Sequence, residues 1–285
     1  MKTIALFSKP NSPQAWGVLN EVVSWADARG IKTLVGAGRG GWKGDGWDPE
    51  FCAQARAQAD LALAIGGDGT LLGVARSLFG TNIPLLGVNL GTLGFLTDVA
   101  AKDIERMFDA LQAGEYSLEQ RIVLEAVGVD GEQLGLGFND VVFNNGGVGR
   151  MAQYDVFIDR QPVFTIRGDG LIITTPTGST AYALSANGPI LHPALAAIGV
   201  VPLNPHSLAA RPITLPSSMT IEVVMGGRVA SQAYCDGQPA GGPLQDGARV
   251  TVRQAATTVP MLHLNDYSIF NTLRQKLNWS SPRER

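Results

Sequence analysis

The sequence predicts an α/β N-terminal domain on a parallel sheet, then a β-rich, sandwich-like C-terminal domain, with a C-terminal helix packing back on the first. Three observations predict this. Over residues 1–100, short apolar runs alternate with helical patterns, as βαβ units do. From Arg121 to Leu264 the hydrophobic period becomes two and turn residues recur. Between them in importance, Leu61–Phe79 (LALAIGGDGTLLGVARSLF) reads as buried strand, glycine loop and helix in direct succession. The expected domains are 1–100 joined by 267–285, and 101–266.

Taken in order, Ile4–Phe7 is a strand. Ala15–Arg29 carries Val18, Leu19, Val22, Val23 and Ala26 at helical spacing and stops at Gly30. Ile31–Val35 is the next strand. The following Gly36–Gly41 matches GxGxxG in form but opens no helix, because Trp42–Pro49 cannot form one, so it is a loop and no dinucleotide fingerprint. Glu50–Gln58 is a short helix. Leu61–Ile65 is a strand bounded by glycine, and from Thr70 a helix presents Leu71, Val74, Ala75 and Leu78 on one face. Pro84–Val88 is a further buried strand, followed by the loop Asn89–Leu96. Lys102–Ala113 is a helix that Gly114 ends. Beyond it, Asp155–Ile166 alternates across a turn at Arg160-Gln161-Pro162, and Met219–Met225, Val229–Tyr234 and Arg249–Val259 are strands. Tyr267–Trp279 is helical again.

Composition excludes several classes. The chain has 285 residues, 45% hydrophobic and 16% charged, which is enough apolar material for one large or two ordinary domains. Its 35 glycines exceed the usual ~7% and imply turns or close backbone–ligand approach. A net charge of −3 without Lys/Arg runs argues against a nucleic-acid partner. No apolar run is long enough for a membrane span or a signal peptide, so no membrane partner and a cytoplasmic location are expected. Cys52 and Cys235 stand outside any metal-ligand spacing and read as reduced structural thiols.

The chemistry concentrates in three places. At a strand-to-helix turn, Gly66, Gly67 and Gly69 let backbone N–H groups approach a ligand, and the following helix points its positive end there, with Thr70 in its first turn. That suits phosphate. A carboxylate there, Asp68, repels phosphate unless a metal intervenes or it handles a proton; the alternative is a solvated turn residue. Asn139-Asp140 opens a strand and either holds a sugar diol or forms an Asx turn. Around Pro176 and Gly178, the hydroxyls of Thr174, Thr175, Thr177, Ser179 and Thr180 precede a helix expected over Thr180–Ala186. They offer an oxygen-binding surface or a structural cap, with Asp169 nearby.

These segments together resemble the bacterial NAD kinases. They are Ile65–Thr70, Asn139-Asp140, Asp169-Gly170 with Thr175–Tyr182, Pro205–Pro212 and Asp236-Gly237-Gln238, in one consistent order. The GGDGT loop alone is shared with phosphofructokinases and lipid kinases, whereas TPTGSTAY with NPHSLAARP is more specific. The resemblance implies NAD(H) bound between domains, ATP as phosphoryl donor, Mg²⁺ or another divalent cation, and a homodimer or homotetramer. It implies Asp68 as proton acceptor, with NAD contacts from Asp68, Gly69, Asn139, Asp140, Arg150, Arg167, Asp169, Thr180, Ala181, Tyr182, Ala183, Leu184, Ser185 and Gln238. Gly66, Gly67, Gly69 and Thr70 would cradle phosphate. Most relatives carry Glu where this chain has Asp140. Arg167 is implied in preference for oxidised NAD, acting through Asp169 or a pyrophosphate oxygen. The competing readings are a sugar or lipid kinase, and a non-enzymatic NAD-sensing module that would tolerate loss of Asp68.

Overall fold

A computed structural model describes residues 1–9, 12–36, 47–91, 94–145, 151–227 and 229–280. The glycine–tryptophan loop from residue 37 to 46, Thr92-Leu93 and Arg150 lie outside the described residues. The chain forms two compact units, Met1–Gln120 with Val259–Arg285, and Arg121–Thr258.

In the first unit, β1 (Thr3–Ser8), β2 (Lys32–Gly36), β3 (Leu61–Gly66) and β4 (Leu85–Asn89) are parallel, in the order β2-β1-β3-β4. β5 (Val99–Ala100) adds to β4. Helices α1 (Pro13–Asp27), α2 (Pro49–Gln58), α3 (Asp68–Ser77) and α4 (Ile104–Ala113) intervene. β1, β3 and β4 are buried along their whole lengths, which explains their uninterrupted apolar runs. On one face Val18 and Val22 of α1 and Met107 and Phe108 of α4 share a core with Leu6, Leu63 and Val88. α4 therefore belongs to the first unit, beyond the boundary expected at residue 100. Gly30 and Gly114 end their helices at φ 66° and 74°, where a side chain would be strained. α3 starts two residues before the expected Thr70, with Gly67 as its N-cap.

The second unit is antiparallel. β6 (Tyr116–Val127) enters it and pairs with β7 (Gln133–Gly137). A six-stranded sheet contains β8 (Asp140–Asn144), β11 (Gly170–Thr174), β12 (Ala197–Leu203), β13 (Ile213–Pro216), β15 (Ser231–Cys235) and β16 (Gln238–Leu244). β9 (Ala152–Ile158), β10 (Gln161–Gly168), β14 (Ile221–Gly226) and the start of β17 (Arg249–Leu264) form the other ladder. The alternating burial of β9 and β14 supplies one core with Phe143, Leu171, Ile173 and Val200. The β9–β10 turn falls at Asp159-Arg160, both at positive φ, one residue earlier than expected, because Pro162 is already in the strand. The end of β17 runs parallel to β4 in the first unit, and α6 (Ile269–Leu277) follows, with Thr272 and Leu273 buried. Between β11 and β12 the expected helix is split into a 3-10 turn, Gly178–Thr180, and a short α5 (Tyr182–Ser185).

Candidate active site

The strand order of the first unit reverses direction between β1 and β3, and in open parallel sheets ligands bind at the carboxyl ends beside such a point. A cleft of about 390 Å³ lies there, lined by residues that follow β1, β3 and β4, among them Lys9, Gly66, Gly67, Asp68, Asn89 and Gly94. Lys276 of α6 lines it too. Asp68 is the sole acid among its lining residues, and neither lysine has a carboxylate partner among the described residues.

Asp68 is the first residue of α3, and its carboxylate points into the loop after β4. Phe95 N–H donates to Oδ2 at 2.8 Å, and Leu96 N–H to Oδ1 at 3.0 Å. The Thr97 N–H and hydroxyl also reach Oδ1, each at 3.3 Å. The solvated-turn reading of Asp68 is therefore set aside: the side chain is fixed by a loop 27 to 29 residues away. Thr70 N–H donates to Gly67 O at 2.9 Å. Its side chain fills the space over Gly66, where a Cβ would stand 2.2 Å from Thr70 Oγ1.

Gly94 is required for the same reason. A Cβ there would lie 1.9 Å from Asp68 Oδ1 and 2.4 Å from Thr97 Oγ1. Gly94→Ala is expected to displace the carboxylate and lower turnover by ~10²-fold, as a misplacement of about 1 Å does. Steady-state kinetics with a thermal melt to confirm folding checks this.

In the second unit the Asn139-Asp140 backbone is clamped from both sides. Asp236 sits in the β15–β16 turn at φ 50°, with Gly237 at 76°. Its carboxylate accepts the N–H groups of Phe138 (2.9 Å), Asn139 (2.7 Å) and Asp140 (3.2 Å). Opposite, Thr175 donates its hydroxyl to Phe138 O at 2.7 Å and its N–H to Asn139 O at 2.9 Å. Gly178 passes so close that a Cβ would be 2.0 Å from Asn139 O.

This corrects the oxygen-binding reading of the hydroxyl-rich loop. Thr174, Thr175, Thr177 and Ser179 are buried. Thr174 and Thr175 bond to the carbonyls of the clamp, and Ser179 bonds Pro176 O at 2.6 Å while accepting Leu191 N–H. Arg121 reaches the Thr177 hydroxyl, and Thr180 donates to Thr177 O. The four buried hydroxyls build the loop, and of the five residues Thr180 alone is half-buried. What the clamp presents is the Asn139 carboxamide, which makes no hydrogen bond among the described residues, and the Asp140 carboxyl. Burial, and secondarily the negative charge of Asp236, push the Asp140 carboxyl up to about 7. The same burial pushes the neighbouring Cys235 thiol up to about 12, so it is an inert packing group.

The remaining expected contacts lie in the second unit. Tyr182 and Ser185 are exposed, Thr180, Ala181, Leu184 and Gln238 half-buried. The Ala183 methyl is packed with Val142, Ile172 and Val201, so only its backbone is available. Arg167 and Asp169 are exposed on successive sides of the β10–β11 corner. They are not paired: Asn204 donates to Asp169 Oδ2 at 2.8 Å, and Arg167 Nε donates to Gln153 Oε1 at 3.3 Å. Asp236, Gly94, Asn89, Thr97, Lys9 and Lys276 were not among the site residues expected from the sequence. Asp236 stood in a recognised segment, and a polar residue before glycine in a hairpin was the available signal.

The first unit thus holds a fixed carboxylate at its strand ends, and the second clamps an Asn-Asp pair. The ATP-NAD kinase N-terminal domain matches residues 4–116 and the ATP-NAD kinase C-terminal domain matches residues 138–264. An NAD kinase of Aromatoleum aromaticum is 41% identical over 98% of this chain and 95% of its own. Two solved structures share the fold. Yeast NADH kinase complexed with NADH has a TM-score of 0.84 at 23% identity, covering 100% of this chain and 89% of its own. An NAD kinase from Archaeoglobus fulgidus in complex with ATP has a TM-score of 0.76 at 21% identity, covering 99% and 100%. The chain belongs to the NAD kinase family.

Proposed function

We propose that the chain transfers the γ-phosphoryl group of ATP to the 2′-hydroxyl of the adenosine ribose of NAD, giving NADP. The observation that carries this reading is Asp68, the one fixed carboxylate in a strand-end cleft that also holds two lysines and four glycines. A ribose hydroxyl is a very weak acid, so a carboxylate cannot remove its proton in advance. Asp68 takes it late, as the oxygen closes on phosphorus through a loose transition state. Most of the rate gain then comes from positioning and electrostatics. Gly66, Gly67 and Gly69 with Lys9 and Lys276 meet the phosphates. Asn139 and Asp140 hold the ribose; Arg167, Asp169, Thr180–Ser185, Gln238 and Arg150 complete the NAD contacts.

Among the described residues no cluster of three His, Cys, Asp or Glu side chains could hold a metal ion. A divalent cation such as Mg²⁺ would be carried largely by the ATP phosphates, where it would neutralise charge, with Asp68 the one carboxylate lining the cleft. We further propose a homodimer or homotetramer working in the cytoplasm. Among the described residues no helix is long and apolar enough to cross a membrane.

Incubating purified protein with NAD, ATP and Mg²⁺ and assaying NADP with an NADP-specific dehydrogenase tests the reading, and repeating with polyphosphate tests the donor. NADP formation supports it. Its absence, with phosphoryl transfer to a sugar phosphate or diacylglycerol instead, favours the other kinase classes.

Arg167 bears on specificity. Its contact with Gln153 replaces the expected one with Asp169, so it shapes the pocket through β9. The native protein is expected to prefer NAD over NADH. Arg167→Gly should narrow the ratio of their kcat/KM values by ~3–10-fold, since that ratio measures discrimination. An unchanged ratio would remove Arg167 from specificity.

A further inference from the structure

We infer that Asn89 and Thr97 are positioning residues for Asp68: Asn89 orients the Thr97 hydroxyl, Thr97 donates to Oδ1, and Oδ2 is left to take the ribose proton. The inference rests on the phosphoryl-transfer reading above and adds to it a directed chain of hydrogen bonds.

The direction follows from donor chemistry. A backbone N–H can only donate, so Gly91 N–H at 2.7 Å fixes Asn89 Oδ1 as the oxygen end of that carboxamide. The other end, Nδ2, then donates to Thr97 Oγ1 at 2.7 Å. A hydroxyl oxygen that accepts there has its own proton to give, and Asp68 Oδ1 lies 3.3 Å away. With the Leu96 and Thr97 N–H groups, Oδ1 faces three donors; Oδ2 faces one, Phe95 N–H. A carboxylate oxygen has about two lone-pair sites: on Oδ1 the Leu96 N–H at 3.0 Å takes one, and the longer Thr97 N–H and hydroxyl contacts, each at 3.3 Å, share the other, while Oδ2 keeps one open. Thr97 is fully buried and outside the cleft lining, so it acts through Asp68; Asn89 borders the cleft, but both ends of its carboxamide are taken, by Gly91 N–H and by the Thr97 hydroxyl. Buried chains of this kind hold one orientation, since a reversed member leaves a polar group unpaired.

In the step, the 2′-oxygen forms a bond to the γ-phosphorus as the bond from phosphorus to the β–γ bridging oxygen breaks. ADP leaves with that electron pair. The 2′-hydroxyl proton passes to Oδ2 and thence to solvent.

The test measures kcat and both KM values for the full-length protein and its variants. Thr97→Val is expected to lower kcat by ~10–100-fold with both KM values within about 2-fold, and Thr97→Ser to restore it. Asn89→Asp keeps the shape but turns the donor into an acceptor, drawing the Thr97 hydroxyl away from Asp68; a loss of ~10-fold or more is expected. In an Asp68→Asn background, Thr97→Val should have no further effect, because the two act as one unit. Wild-type kcat in Thr97→Val, no rescue by serine, or an undiminished loss in the Asp68→Asn background overturns the inference. Amide exchange at Leu96, measured without substrate, should speed in Thr97→Val and not in Thr97→Ser; equal exchange in both also overturns it. If the unmodified protein makes no NADP, the functional reading fails, while the exchange arm still decides the hydrogen-bond chain.

Discussion

Asp68→Asn is expected to lower kcat by ~10²–10⁴ while changing NAD affinity far less. The substitution keeps the side-chain shape and removes the proton acceptor. Asparagine can still accept N–H donors through its one oxygen, but its NH₂ must face either the Phe95 N–H or the donors that now converge on Oδ1. Some displacement of the Gly94–Thr97 loop follows, so the variant also probes preorganisation. NADP formation gives kcat, and titration calorimetry gives the NAD dissociation constant. Near-normal turnover would remove Asp68 from the mechanism; an equal loss of affinity would make it a binding group only.

The second large effect concerns stability and pH. The buried Asp140 carboxyl titrates at about 7 in the folded chain, against an ordinary value of 3.8. Its pKa is raised on folding, so its contribution is fully present below about pH 4 and is lost as pH rises through about 7. The difference of about 3 units corresponds to at most ~4 kcal/mol. Asp140→Asn cannot ionise, so its advantage over the parent should grow between pH 5 and pH 8.5. Comparing the two proteins at each pH cancels the other titrating groups. Urea unfolding at both values checks this. A parent–variant difference independent of pH would mean that Asp140 is already ionised in the folded state. Asp140→Glu should show whether an extra methylene moves the carboxyl out from beside Asp236.

The fold was largely readable because its signals are local. LALAI and LLGVN are buried on both faces and carry no alternation, while β9 and β14 face one core and alternate. Gly30 and Gly114 stop helices by a rule that needs no tertiary context. The site was readable only as a set of residues. Its arrangement depends on partners distant in sequence: Asp68 with Phe95–Thr97, and Asp236 with Phe138–Asp140 across 96 to 98 residues. A hydroxyl-rich segment gives no sign of whether its groups face a ligand or its own backbone; here burial and Pro176 turn them inward. Arg167 and Asp169 are two apart on a strand corner, and period-two geometry does not say that Asn204 and Gln153 are their partners.

In the proposed reaction the acceptor is the ribose 2′-oxygen and the Asp68 carboxylate receives its proton. The most direct measurement locates the transferred group. The purified protein is given NAD, Mg²⁺ and ATP labelled in the γ-phosphoryl, and the product is cleaved at its pyrophosphate. The expected result is all transferred label in adenosine 2′,5′-bisphosphate, formed ~10²–10⁴-fold more slowly when Asp68→Asn replaces the parent under the same conditions. Label on the 3′-oxygen, or label confined to ATP and inorganic phosphate, would contradict it.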